Sequence, residues 1–90
     1  MAINVVLEKI RAGAKVVDVR TPEEFRDGAY AGAINIPLGE LPARVGELPR
    51  DRAVVLYCAS GARSGHGARF LRSAGFPDVI NAGGLADMPR

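Results

Sequence analysis

A lone cysteine stands where an apolar run meets a helical pattern in this 90-residue chain. Cys58 follows Ala53–Tyr57, a run typical of a buried strand, and a glycine-bearing turn leads from it to a helix expected to begin near Ala62. Backbone N–H groups in such a turn, with the positive end of a helix dipole behind them, stabilise negative charge. They favour the thiolate, which is the nucleophilic form of cysteine. The position predicts that Cys58 is catalytic.

The alternative for Cys58 is a place in the protein core, because free cysteine is among the most buried residue types. A core cysteine would lie inside the apolar run. Cys58 instead follows the run and is trailed by small residues that shield it little. We therefore expect the sulfur at an exposed strand-to-helix turn, with Arg63 within reach to balance a negative charge.

The segment after Cys58 supplies the candidate substrate-binding residues, which are Ala59, Ser60, Gly61, Ala62, Arg63 and Ser64. Gly61 is expected to serve backbone geometry, because glycine adopts left-handed dihedral angles without steric cost. A cation at a helix N-terminus opposes the helix dipole, so Arg63 is not placed there for stability. We expect it to bind the anionic part of a substrate or to support the thiolate; the alternative is a solvated surface arginine.

Two charged residues, Asp18 and Arg20, end another predicted strand. Buried charges need partners. We expect a structural carboxylate–guanidinium pair that lies near Glu24, ties the strand to the following helix and braces the loop. His66, the one histidine of the chain, is expected on the surface.

The elements that position these residues begin with a helix near the start of the chain. Its apolar residues recur at helical spacing and are Ile3, Val6, Leu7 and Ile10. Asn4 is the expected N-cap and Gly13 the expected stop. Val16–Val19 then predicts a short strand that is covered on both faces, as in a parallel sheet.

Thr21–Glu24 forms a capping box with proline in the first turn, which predicts a helix of about two turns ending near Gly28. Ala33–Ile36 predicts the next strand. Apolar residues in Leu38–Leu48 indicate a short, irregular helix.

After the Cys58 loop comes the longest predicted helix, with one face formed by Gly67, Phe70, Leu71 and Ala74. Val79–Ile80 predicts a last short strand, and Gly83–Gly84 a turn. Strands that alternate with helices predict a single α/β domain over residues 1–90, with a small parallel sheet and helices on both faces. Ligands bind beyond the carboxyl ends of such strands, where the Cys58 loop begins.

Four segments, in order along the chain, resemble the motifs of the rhodanese (thiosulfate sulfurtransferase) domain, in its small single-domain, phage-shock type. They are Asp18–Phe25, Gly32–Pro37, Cys58–Ser64 and Asn81–Leu85. The resemblance implies that loop amides stabilise a persulfide on Cys58, and that the side chains from Ala59 to Arg63 shape substrate choice. This chain has Ala29 where the family commonly has histidine and Met88 where it commonly has tryptophan. We expect these differences to affect the packing near the site and the identity of the partner, and not the reaction.

We therefore predict a sulfurtransferase that takes sulfane sulfur from a small anionic donor such as thiosulfate and passes it to a thiophilic acceptor, which is cyanide, a thiol or a protein. One alternative is a thiol phosphatase or arsenate reductase, which share a cysteine-to-arginine loop. Their arginine stands six positions after the cysteine, where this chain has Ser64. The other alternative is a binding module that has no catalytic activity.

The composition of the chain bears on nucleic-acid binding, on metal and cofactor binding, and on cellular location. A net charge of +2, with ten arginines and two lysines scattered along the chain, gives no reason to expect nucleic acid. One cysteine makes no internal disulfide, and no His/Cys cluster has metal-ligand spacing, so neither metal nor cofactor is implied. Charged residues interrupt the first fifteen positions, and no stretch has the roughly 20 apolar residues of a membrane span. We expect a cytoplasmic protein; a periplasmic form whose signal peptide has been removed stays open.

Overall fold

A computed structural model describes residues 2–89, the side chains of residues 2–4 excepted. Helices and strands alternate along this part of the chain: α1 (Ala2–Arg11), β1 (Lys15–Asp18), α2 (Pro22–Arg26), β2 (Ile34–Asn35), β3 (Val54–Cys58), α3 (Ala62–Ser73) and β4 (Val79–Gly84). Three short 3₁₀ segments join them, at Leu38–Glu40, Pro42–Glu47 and Leu85–Asp87. Within residues 2–89, no helix combines the length and the apolar character needed to cross a bilayer.

The four strands form one parallel sheet in the order β2-β1-β3-β4. Strand β3 is central, and all five of its residues are buried. Apolar side chains cover both faces: Leu56 packs with Leu71 of α3 on one face, and Val55 packs with Val6 of α1 on the other. The predicted α/β architecture, a parallel sheet between helices, is confirmed.

Local sequence explains where the helices beside the loop begin. Thr21 caps α2, because its hydroxyl accepts a hydrogen bond from the Glu24 amide while the Glu24 carboxylate accepts one from the Thr21 amide. Gly61 precedes α3 with φ of 103°, the left-handed conformation expected of it. Both helix starts are confirmed as the sequence predicts them.

Three expectations about the helices and strands are wrong in detail. Helix α1 begins at Ala2, so Asn4 lies inside it and does not cap it, and the side chain of Ile3 lies outside the described residues. Strand β2 consists of Ile34–Asn35 only, which is shorter than the predicted Ala33–Ile36. Phe70 is 36% exposed, because the buried stripe of α3 follows i, i+3, i+4 and i+7 spacing at Ser64, Gly67, Ala68 and Leu71.

Strand β4 is the largest departure, since it runs on to Gly84 instead of turning at Gly83–Gly84. Leu56 pairs with Asn81 and Cys58 with Gly84, so β4 has one extra residue over this interval, which is a β-bulge. Two glycines let the backbone of β4 follow β3 as far as Cys58. The end of β4 thereby becomes a wall of the Cys58 loop.

Candidate active site

Cys58 ends β3, and the loop of residues 59–61 curls back over its sulfur before α3 begins. The Gly61 amide donates to Sγ at 3.0 Å, and the Ser64 amide and hydroxyl lie 3.4 Å from Sγ. Cys58 is only 1% exposed. The expectation of an exposed sulfur is therefore wrong: the small residues of the loop bring their backbone onto the sulfur and cover it.

The hydrogen bonds around the sulfur change its acidity. Burial raises the pKa of the Cys58 thiol, but hydrogen bonds from the Ser64 hydroxyl and from the loop amides outweigh burial and lower the pKa to about 7. A pKa near neutrality makes the thiolate more abundant at pH 7 than it is for an ordinary cysteine. The hydrogen bonds to the sulfur therefore favour the thiolate in spite of burial.

Asn81 is the residue of this site that sequence reasoning missed. Its Oδ1 lies 2.6 Å from the Ser64 hydroxyl and accepts the Gly83 amide at 3.0 Å, while its Nδ2 donates to the Gly61 carbonyl at 3.1 Å. Asn81 therefore ties the loop, α3 and the end of β4 together. It belongs to the quoted segment Asn81–Leu85, but only the fold brings it to Ser64.

The Ser64 hydroxyl has one proton and four acceptors within hydrogen-bonding distance. Asn81 Oδ1 is the nearest at 2.6 Å, the Gly61 carbonyl lies at 3.2 Å, and Cys58 Sγ and the Gly83 carbonyl lie at 3.4 Å. When Cys58 ionises, its negative charge strengthens the hydrogen bond to Sγ. Ser64 is thus placed to stabilise the thiolate by rotating its hydroxyl, with no movement of the backbone.

We expect Ser64→Ala to raise the pKa of the Cys58 thiol from about 7 by roughly one pH unit, since a hydrogen bond to a charged group contributes about 1.5 kcal/mol. Ultraviolet absorbance of the thiolate, followed against pH, measures the change, because the chain has one cysteine. The matched control is Ser60→Ala, whose exposed side chain should leave the titration unchanged. Equal titrations of Ser64→Ala and the wild type would show that the amides alone set the pKa.

Glycine backbone forms the wall opposite Gly61. A Cβ at Gly61 would lie 3.3 Å from the Gly83 Cα, and a Cβ at Gly84 would overlap the Ala59 carbonyl oxygen. The loop and the end of β4 are therefore in backbone-to-backbone contact, which larger residues would force apart.

Arg63 leaves the loop and reaches α2. Its guanidinium donates to both carboxylate oxygens of Glu24, at 2.8 and 3.1 Å. The hydrogen bond from Arg63, followed by that from the Thr21 amide, lowers the pKa of Glu24 to about 2. Arg63 is thus neither a free surface residue nor within hydrogen-bonding distance of the sulfur. Two of its five N–H groups donate to Glu24, and within residues 2–89 the other three make no hydrogen bond.

The structure pairs Asp18 with Arg20 and corrects the place expected for Glu24. The Arg20 side chain donates to both Asp18 oxygens at 2.7 to 3.0 Å, and its Nη2 also donates to the Gly28 carbonyl at 2.8 Å. Both residues are buried. Glu24 does not join this pair, because it forms the ion pair with Arg63. Arg20 therefore braces the segment around Gly28, and Glu24 braces the loop.

The remaining candidate residues lie at the rim of the loop. Ala59, Ser60 and Ala62 are exposed, and Gly61 and Arg63 are partly buried. His66 is exposed on α3, as predicted. The loop thus presents small side chains, backbone amides and one guanidinium, an arrangement that suits a small anion beside a thiolate.

Comparisons with known proteins agree with this geometry. A family model described as rhodanese-like domain matches residues 3–87. A protein named sulfurtransferase from Allochromatium vinosum is 42% identical over 69 residues, which are 77% of this chain and 64% of that protein. Thiosulfate sulfurtransferase PspE of Escherichia coli is 40% identical over 74 residues, 80% of this chain and 71% of that protein.

A solved structure described as rhodanese with anions from E. coli superposes with a TM-score of 0.80 at 38% identity, and the match covers 86% of this chain and 95% of that one. This chain spans 64% of the length of the A. vinosum protein and 71% of the length of PspE.

Proposed function

The chain belongs to the rhodanese-like domain family, and from that premise we propose that it is a sulfurtransferase that carries sulfur as a persulfide on Cys58. One observation carries the proposal: the sulfur at the end of β3 lies within 3.4 Å of two amides and a hydroxyl, which lower its pKa to about 7. The relatives named sulfurtransferases support the same reaction class.

In the first step, the Cys58 thiolate attacks the outer sulfur of a donor such as thiosulfate. A new S–S bond forms to Sγ, the S–S bond of thiosulfate breaks, and sulfite leaves with the electron pair. This is covalent catalysis. It needs no general base once Cys58 is ionised, which agrees with the absence of any histidine, aspartate or glutamate among the hydrogen-bond donors and acceptors found at Sγ within residues 2–89.

In the second step, the acceptor attacks the outer sulfur of the persulfide. The bond from that sulfur to Sγ breaks, the electron pair returns to Sγ, and Cys58 is again a thiolate. Cyanide would leave as thiocyanate, and a thiolate would leave as a persulfide. The loop amides that stabilise the thiolate also stabilise it as the leaving group.

Arg63 is the residue that we assign to the donor. The three N–H groups not directed at Glu24 suit the oxygens of a sulfonate group, and Glu24 holds the guanidinium at the rim of the loop. Ala59, Ser60, Gly61 and Ala62 form the rest of the rim and shape access to the sulfur.

The geometry argues against the phosphatase alternative. Attack on phosphate requires that several equatorial oxygens be cradled by amides and an arginine. Cys58 is 1% exposed, and Arg63 follows it by five positions, one fewer than in the phosphatase loop. A covered sulfur suits attack on a single terminal atom, and the outer sulfur of thiosulfate is such an atom.

The test is the intact mass of the wild-type protein after treatment with thiosulfate and then with cyanide. We expect a gain of one sulfur atom and its loss on cyanide addition. The rate of the gain should rise with pH through about 7 and level off above it, because the thiol is protonated below its pKa. An unchanged mass across a range of thiosulfate concentrations would contradict the proposal. Hydrolysis of aryl phosphates that requires Cys58 would favour the phosphatase alternative.

A further inference from the structure

The Ser64 hydroxyl lies between the Cys58 sulfur and the side chain of Asn81. Its Oγ is 3.4 Å from Sγ and 2.6 Å from Asn81 Oδ1. Ser64 is 0% exposed, so its hydroxyl cannot turn to water and must donate to an acceptor of the protein. The choice of acceptor therefore decides how much the hydroxyl stabilises a negative charge on the sulfur.

The neighbours of Asn81 fix the orientation of its amide group. The Gly83 amide donates to Oδ1 at 3.0 Å, and Nδ2 donates to the Gly61 carbonyl at 3.1 Å. Exchanging the oxygen and the nitrogen would set two donors against each other at Gly83 and two acceptors against each other at Gly61. Oδ1 therefore faces Ser64. Because this oxygen carries no proton, the Ser64 hydroxyl is the donor in the 2.6 Å contact.

Asn81 Oδ1 is the preferred acceptor while the sulfur carries no charge. A distance of 2.6 Å lies at the short end of the range for hydrogen bonds between oxygens, and uncharged sulfur is a weak acceptor. The Gly61 and Gly83 carbonyls lie farther from the hydroxyl, at 3.2 and 3.4 Å. The Gly61 carbonyl also accepts the Gly65 amide at 2.9 Å. A negative charge on Sγ reverses the preference, because hydrogen bonds to ionised acceptors are roughly twice as strong.

From these contacts we propose that Asn81 is a positioning residue for sulfur transfer. Its Oδ1 accepts the hydrogen bond of the Ser64 hydroxyl while Cys58 carries the extra sulfur, and loses that hydrogen bond to Sγ while Cys58 is a thiolate. The inference rests on the proposed function and adds to it a residue that acts on the sulfur through Ser64.

The Ser64 hydroxyl then turns once in each half of the reaction. When Sγ bonds to the outer sulfur of thiosulfate, sulfite leaves with the electron pair of the broken S–S bond, Sγ loses its charge, and the hydroxyl turns to Asn81. When the acceptor takes the outer sulfur, the electron pair returns to Sγ and the hydroxyl turns back. No covalent bond of Ser64 breaks. Asn81 thus stabilises the loaded state relative to the thiolate.

Asn81→Leu should lower the pKa of the Cys58 thiol from about 7 by roughly half to one pH unit. Leucine has nearly the shape of asparagine and makes no hydrogen bond, so the Ser64 hydroxyl becomes free to donate to Sγ. Asn81 is exposed, and its replacement leaves the core unchanged. Absorbance of the thiolate against pH measures the change. An unchanged or raised pKa would overturn the inference.

Asn81→Asp is the matched variant. Both substitutions remove the hydrogen bond from Nδ2 to the Gly61 carbonyl, but only aspartate keeps an acceptor for Ser64, with a negative charge added. We therefore expect the pKa of Cys58 to rise in Asn81→Asp. A fall in both variants would assign the effect to the lost hydrogen bond at Gly61 and overturn the inference.

The Ser64→Ala background tests whether Asn81 acts through the hydroxyl. In that background, Asn81→Leu should no longer change the pKa of Cys58. The same shift with and without the hydroxyl would contradict the inference. The charged groups around the loop are common to all these proteins, and they are Arg63, Arg69, Glu24, Asp18, Arg20 and Asp87. A difference between the proteins therefore comes from positions 64 and 81.

The two half-reactions give a readout that damage to the loop would not produce. A thiolate of lower pKa is a weaker nucleophile but a better leaving group. At a pH where Cys58 is fully ionised, we expect Asn81→Leu to load from thiosulfate roughly twofold more slowly than the wild type, and to lose its sulfur to cyanide faster. The intact mass followed against time measures both rates. Slowing of both half-reactions would overturn the inference.

The titration does not depend on sulfur transfer, so the two proposals can fail separately. Equal pKa values in the wild type and Asn81→Leu, with normal loading of both, would contradict the role of Asn81 alone. A wild-type protein that does not load would contradict the proposed function, and with it the role of Asn81 in sulfur transfer.

Discussion

Cys58→Ser should lose sulfur loading from thiosulfate by at least a thousandfold, the largest effect expected of a substitution in this chain. A serine hydroxyl is not ionised near neutral pH, whereas the thiol of Cys58 has its pKa lowered to about 7. The oxygen also cannot form a persulfide. The measurements are the intact mass after thiosulfate treatment and the rate of thiocyanate formation in the presence of cyanide.

The fold of Cys58→Ser should persist, because the hydroxyl is smaller than the thiol and lies among the same donors, the amides of Gly61 and Ser64. A thermal melting curve close to that of the wild type would separate loss of chemistry from loss of structure. Ser73→Ala, an exposed serine at the far end of α3, is the control that should load normally. Loading of Cys58→Ser at the wild-type rate would place the sulfur on another residue and overturn the mechanism.

Gly84→Ala should have the largest effect on stability. A Cβ at Gly84 would overlap the Ala59 carbonyl oxygen and lie 3.0 Å from its carbon. Backbone atoms cannot rotate away as a side chain does, so β4 or the Cys58 loop must move. We expect the free energy of unfolding to fall by about 3 kcal/mol, which lowers the melting temperature of a domain of this size by roughly 12 °C or more.

The same displacement should impair sulfur loading, because Ala59 directly follows Cys58 and Gly84 pairs with Cys58 across the sheet. The matched control is Gly39→Ala. Its φ lies outside the left-handed region, and a Cβ there meets nothing within 4 Å, so we expect little change in melting temperature. Gly84→Ala and Gly39→Ala with equal melting temperatures would show that the loop and β4 separate at little cost.

The helix starts and the buried strands could be predicted from the sequence, because interactions between neighbouring residues decide them. The capping box of Thr21 and Glu24 spans three residues, and the helix after Gly61 begins at a glycine with a positive φ. The apolar strands on both faces of the sheet also follow from sequence, because burial on two faces leaves no polar position. Such features depend on backbone dihedral angles and on the partition of side chains, which neighbouring residues set.

Contacts between distant residues could not be predicted in the same way. Sequence reasoning placed Glu24 near Asp18 and Arg20, and it left Asn81 without a role. The fold instead brings Glu24 to Arg63, which is 39 positions away, and Asn81 to Ser64, which is 17 away. The register of β4 decides the second contact, because it pairs Asn81 with Leu56 of β3.

The sequence by itself determined the α/β architecture, the start of α3 and the position of Cys58 at the end of the central strand, since each depends on short-range pattern. Only the tertiary structure decided that the sulfur is covered, and that Glu24 of α2 pairs with Arg63 of the loop. The physical reason is that burial and hydrogen bonding at this site come from the packing of β1, β4 and α2 around one loop. These segments are far apart along the chain, and their relative positions depend on the register of the whole sheet.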